Sequence, residues 1–195
     1  MKHKILLATR HLYRLGDSEK IIQTEISKNY TWKSNIDLIA KDFKIDPIAL
    51  VSGYKTIGDN FGRTQNTAQI FGYTQFSLEK DLSFSPENWQ NIPYGKDFAT
   101  FVNIYNSGEA GTVLLSDTHA DVYKRLVKEL SEGNGRHMFT HDSRVESACA
   151  NLMPNYAEKL GSSLNYGETL VMLVNDSYKF QPLAIVRRGG IQDIL

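Results

Sequence analysis

Residues 4–9 read KILLAT. A short, unbroken apolar run of this kind is a strand with both faces buried, and such a strand needs cover above and below. Patterns with helical spacing follow it, and the chain closes on two strand-like runs, 169–174 and 179–186, either side of Asn175-Asp176-Ser177. Strands that alternate with helices and end in a hairpin predict an α/β fold in three layers. A mainly parallel central sheet is covered by helices on both faces, and the first strand lies near its middle.

Between these ends the elements are predicted as follows. A helix starts near Asp17 and turns Ile21, Ile22 and Ile26 inward. Ser34 with Asp37 is a capping-box pattern ahead of Ile36, Ile39, Ala40 and Phe43. Asp46-Pro47 reads as a cap and the first position of another helix. Residues 52–64 form a loop, 65–72 a short helix, and 83–96 an irregular connection. Residues 98–105 and 112–116 read as strands around a turn at 106–111. Thr118 with Asp121 and Ser143 with Glu146 are further capping boxes, and Gly133-Asn134-Gly135 stops the helix between them. Residues 137–140 are a short strand. Val145, Ala148, Cys149, Leu152, Met153 and Tyr156 mark a buried helical face broken at Pro154.

The 195 residues fit one domain over 1–195 with a real core, and no linker or repeat divides them. Lys+Arg and Asp+Glu both number 22, so no basic excess marks a nucleic-acid binder. Cys149 is the only cysteine, which excludes an intramolecular disulfide and suits a reducing compartment. The apolar run near the start is too short for a signal peptide or a membrane span, so a cytoplasmic location is expected.

Ligands of such sheets bind beyond the carboxyl ends of the strands. Three predicted strand exits carry chemistry there: Arg10-His11 with Arg14, Asp117-Thr118-His119, and His141-Asp142. Phosphate calls for planar, permanently charged, bidentate donors, which arginine supplies. A neutral histidine can attack phosphorus when arginines offset the charge on the outer oxygens. A carboxylic acid can then protonate the leaving oxygen. Cys149 lies on an apolar helical face and reads as core.

These residues resemble the histidine phosphatase superfamily. Arg10-His11-Leu12-Tyr13-Arg14 is similar to its RHGxR signature at the end of the first strand. Arg63-Thr64-Gln65-Asn66-Thr67-Ala68 is similar to its second arginine segment, an RTxxTA run opening a helix. Thr140-His141-Asp142-Ser143 resembles the HD motif of the acid-phosphatase branch, the branch the chain resembles most. The resemblance implies that His11 is the nucleophile and becomes phosphorylated. It also implies that Arg10, Arg14 and Arg63 hold the phosphate, with His141 assisting, and that Asp142 is the proton donor. It implies no metal and no cofactor, and a small phosphorylated substrate as the partner. Leu12 stands where the family has glycine, and Leu15-Gly16 where it has proline.

Four other readings remain open. Residues 112–130 resemble the strand, histidine and helix of the phosphoglycerate-mutase branch, with His119 replacing His141 and Glu109 or Glu87 as the acid. Asp117-Thr118-His119 also resembles the opening DxH of metallophosphoesterases, though the rest of the chain lacks their further motifs. Leu12 motivates a catalytically inactive relative that only binds a phosphorylated ligand or a partner. Residues 36–53 carry a helix-turn-helix spacing of the DNA-binding type, with poor electrostatics. Residues 73–97, with Trp89 and Tyr94, read as a flap or as plain loop packing.

Overall fold

The computed structural model describes residues 3–12, 31–52, 62–83, 92–141, 143–187 and 190–194. KILLAT lies in β1 (Lys4–Arg10), where Ile5, Leu6, Leu7 and Ala8 are all buried. The other strands are β2 (Lys44–Ile45), β3 (Ile48–Val51), β4 (Gln75–Leu78), β5 (Asn134–Thr140), β6 (Thr169–Val174), β7 (Phe180–Arg187) and β8 (Gly190–Asp193). They form one sheet in the order β4-β3-β5-β1-β6-β7-β8, with β2 also paired to β5. β1, β3, β4 and β5 run parallel, while β6, β7 and β8 are antiparallel. β1 is therefore central, as expected, and the C-terminal hairpin forms as read, extended by the unforeseen strand β8.

The helices are α1 (Thr31–Ile39), α2 (Gly62–Ile70), α3 (Phe98–Asn106), α4 (Ala110–Lys128), α5 (Arg144–Leu152) and α6 (Ala157–Leu160). Alternation along β1 splits the core in two. Leu6 and Ala8 face one cluster with Met138, Val122, Leu126, Val145 and Cys149, under α4 and α5. Ile5 and Leu7 face the other with Ala49, Phe139, Ile36 and Ala68, under α1 and α2. Three layers result. No helix among the described residues is long and apolar enough to cross a membrane.

Several expectations are corrected. Residues 98–105 and 112–116 are helical, not strands. Phe98, Phe101, Val102 and Tyr105 recur at helical spacing, and Asp97 caps α3 by accepting from Thr100 N at 2.7 Å. The aromatic and β-branched composition is the misleading signal. Thr118 is not a cap, since it lies inside α4 and its Oγ1 donates to Leu114 O at 2.8 Å. Ser34 likewise lies inside α1. Ser143 does precede α5, but in left-handed backbone and without a side-chain cap bond.

The helix expected at Asp46-Pro47 does not form. β2 and β3 occupy that stretch, and Asp46 Oδ1 accepts from Ile48 N at 2.8 Å in a local turn. Residues 36–52 therefore hold the end of α1 followed by strands, which removes the helix-turn-helix. Part of the 73–97 segment is sheet, namely β4, followed by a 3-10 turn at Lys80–Ser83. Trp89, the helix near Asp17 and most of the 52–64 loop lie outside the described residues. The break at Pro154 holds, with α5 ending at Leu152 and a 3-10 turn at Pro154–Tyr156.

Gly135, read as a helix stop, has a different task. A Cβ there would collide with the side chains of Ile5 and Ile45, because β5 is squeezed between β1 and β2. Gly135→Ala should destabilise the fold by about 1–3 kcal/mol through overpacking. Urea denaturation measures it, and an unchanged midpoint would refute the squeeze.

Candidate active site

The parallel strands deliver their carboxyl ends to one edge. Arg10 at the end of β1 pairs with Thr140 at the end of β5, and Val51 of β3 pairs with Phe139. The chain then leaves both central strands together, since His11 N donates to Thr140 O at 2.9 Å. This register sets His11 beside His141, although 130 positions separate them. Their ring centroids lie 5.1 Å apart, edge to face, and both residues are buried. Nδ1 of His11 lies 2.8 Å from Leu12 O. A carbonyl only accepts, so in the neutral ring Nδ1 carries the proton and Nε2 holds the lone pair.

α2 brings Arg63 to the same edge, and the RTxxTA run explains how. Thr64 Oγ1 donates to Ser52 O just beyond β3. Thr67 Oγ1 donates to Arg63 O at 2.7 Å and accepts from Leu12 N at 2.9 Å. Ala68, with no exposed surface, lets the helix sit close on the sheet. The two threonines thus pin the helix to the ends of β1 and β3.

His141 is held neutral, its pKa pushed well below the usual histidine value. Burial is the largest cause, followed by the positive fields of His11, Arg63, Arg144 and Arg10. Four cationic or potentially cationic groups from three chain segments therefore act on one imidazole. Of the residues read from sequence, the structure gathers Arg10, His11, Arg63 and His141. Arg14, Asp142 and Glu87 lie outside the described residues.

His119 and Glu109, the alternative histidine and acid, belong to α4 and its N-cap. No strand precedes His119, which lies within α4, fully buried, with Nδ1 2.8 Å from Ser147 Oγ. Glu109 caps α4, accepting from Gly111 N and Thr112 N at 3.2 and 2.6 Å. Hydrogen bonds from Thr112 are the main reason its carboxyl is held below the usual range. Asp117 Oδ1 accepts from Tyr105 Oη and Asn151 Nδ2. Among the described residues no cluster of three His, Cys, Asp or Glu side chains is placed to hold a metal.

Two site residues were not foreseen. Arg144, in the first turn of α5, is buried, and its charge bears on both His141 and His119. Tyr166, in the loop before β6, meets Arg10 and His11 through its ring. Arg144 stands two residues after the His-Asp pair, so proximity in sequence was a usable signal. Tyr166 offered none.

No protein-family model matches the chain. No curated protein matches it either. Solved structures do. Phosphoserine phosphatase from Entamoeba histolytica, in complex with 3-phosphoglyceric acid, superposes with a TM-score of 0.57 at 14% identity, over 93% of this chain and 96% of that one. Phosphoglycerate mutase from Bacillus anthracis superposes with a TM-score of 0.57 at 12% identity, over 93% and 92%. Both superpositions cover more than nine-tenths of each chain, and this chain has the α/β fold of these phosphatase and mutase structures.

Proposed function

We propose that this chain is a phosphatase that hydrolyses small phosphomonoesters through a phosphohistidine. The observation that carries this reading is that the charges of Arg10, Arg63 and Arg144 act on buried His141, whose ring lies 5.1 Å from that of His11. Guanidinium groups offset phosphate charge in a site that water enters poorly, and the reaction needs little more than that. Nε2 of His11 attacks phosphorus while the ester P–O bond breaks, and the leaving oxygen takes a proton from Asp142. Water then attacks the phosphohistidine, Asp142 accepts its proton, and inorganic phosphate departs with His11 regenerated. Arg10, Arg14 and Arg63 bind the phosphoryl oxygens, and neutral His141 hydrogen-bonds to them. We take His141 rather than His119 because it shares an edge of the sheet with His11. The whole of 1–195 works as one unit in the cytoplasm, without metal or cofactor.

Leu12 does not argue for inactivity. Its side chain is buried in the cluster beneath α1 and α2, and its amide is held by Thr67. The residue that replaces the family glycine therefore packs into the core.

Protonated Asp142 is needed for the first step, so kcat should peak at mildly acid pH and fall towards pH ~8. Asp142→Asn should slow alkyl phosphates about a hundredfold or more. It should slow the formation of the phosphoenzyme from p-nitrophenyl phosphate far less, the step to be compared between the substrates, because that phenolate leaves without a proton. A profile that only rises through pH ~8, or equal losses on both substrates, would remove Asp142 as the acid.

A further inference from the structure

Arg10 would bind phosphate with a long, flexible side chain, and a guanidinium serves a phosphate best when its plane is already set. The loop before β6 supplies that setting. Arg10 Nη1 donates to Leu164 O at 2.6 Å, and its Cζ lies 4.3 Å from the centre of the Tyr166 ring. The same ring meets the His11 imidazole, centroids 5.5 Å apart and tilted by 49°. One aromatic side chain thus touches both the arginine and the histidine at the exit of β1.

The loop is built to be rigid. Gly167 N donates to Arg10 O at 2.9 Å and Arg10 N to Glu168 O at 3.1 Å, which clips it to β1 just after Tyr166. The buried carboxylate of Glu146 accepts from Leu164 N at 2.8 Å, and that of Glu168 from Asn165 N at 2.9 Å. Arg187 ties Glu168 at 2.7 Å and also donates to Leu160 O and Ser162 O. Two buried acids and an arginine on β7 hold a short bend whose one aromatic side chain, half-buried, faces the site.

We infer that Tyr166 is a positioning residue of the phosphate site, its ring face fixing the Arg10 guanidinium and backing the His11 imidazole before substrate arrives. This rests on the phosphatase reading above. The ring face acts and the hydroxyl does not, so the two can be separated. Tyr166→Phe keeps the face, whereas Tyr166→Leu keeps apolar bulk and loses it.

The test is calorimetric titration of the intact protein with inorganic phosphate, alongside kcat and KM for p-nitrophenyl phosphate and a melting curve for each variant. Tyr166→Phe should match the wild type within about twofold, and Tyr166→Leu should weaken phosphate binding about tenfold with the melting temperature kept. Tyr166→Met takes its place if the leucine variant melts early. In an Arg10→Lys background, where the planar fork is gone, Tyr166→Leu should cost little more. Equal phosphate affinity in the Phe and Leu variants would overturn the inference, as would an undiminished leucine effect in the Arg10→Lys background. A wild-type protein that binds no phosphate would instead take down the phosphatase reading, and this inference with it.

Discussion

Replacing His11 with alanine is expected to cut turnover of p-nitrophenyl phosphate by about a thousandfold or more, because in the proposed mechanism its imidazole carries the phosphoryl group. His141 lies within 5.1 Å, centroid to centroid, but its ring is held neutral among positive charges, and in the proposed mechanism it hydrogen-bonds to phosphate oxygens. His119 is sealed between α4 and α5 against Ser147. Two measurements separate lost chemistry from lost structure. Rapid quenching of the wild type with labelled substrate should trap an acid-labile, alkali-stable phosphoprotein, as phosphohistidine is, and the alanine variant should show none. The variant should still bind inorganic phosphate, since Arg10 and Arg63 remain. A variant that keeps a tenth of the wild-type rate, or a label that survives acid, would remove His11 as nucleophile.

The fold itself should weaken steeply in acid. His119 and His137 are fully buried, and each has its pKa pushed down from 6.5 to about 3. Burial is the main cause for both, with Arg144 adding for His119 and Lys33 for His137. Between those values the unfolded chain binds a proton on each ring that the folded protein does not. Stability is therefore complete above pH 6.5 and drains as the pH falls toward 3. Each ring contributes a slope of about 1.4 kcal/mol per pH unit, or about 2.7 for the two together. Lowering the pH from about 6.5 to about 5 then removes about 4 kcal/mol, much of what an ordinary domain has. Urea midpoints at stepped pH values measure this, and His119→Gln should halve the slope. A midpoint that stays flat from pH ~7 to ~5 would contradict it. The consequence for activity is a narrow window, since the proposed chemistry favours acid and the fold does not.

His137 also shows why some of the buried contacts were invisible in advance. It sits in β5, bridged to Thr9 Oγ1 at 2.7 Å and Tyr73 Oη at 3.1 Å, and Thr9 Oγ1 in turn meets Thr169 Oγ1 at 2.6 Å. The chain of contacts crosses β5, β1 and β6, and each partner looks ordinary where it stands in the sequence. Helices α3 and α4 illustrate the opposite difficulty. Phe98, Phe101 and Tyr105 carry a helical period while their aromatic composition favours a strand, and packing of the apolar face decides for the period. At Asp46-Pro47 a four-residue apolar run fits a strand or a helix equally, and only pairing of β3 with β4 and β5 decides.

What the amino-acid order determined unaided is whatever a short stretch of chain enforces locally. KILLAT had to be a two-sided strand, a short helix read over 65–72 had to follow Arg63 (it begins three residues earlier, at Gly62), and His141 had to follow a strand. A three-layer α/β fold with a closing hairpin follows from those pieces. Tertiary structure alone decided what meets at the end of β1, because parallel pairing sets residue 10 against residue 140 through a register no local pattern encodes. That register placed Arg144 behind His141, turned Leu12 into the core, and laid Tyr166 against Arg10 and His11. The physical reason is range: periodicity and capping act over a few residues, whereas a buried cluster of charges and rings is assembled by packing between segments far apart in the chain.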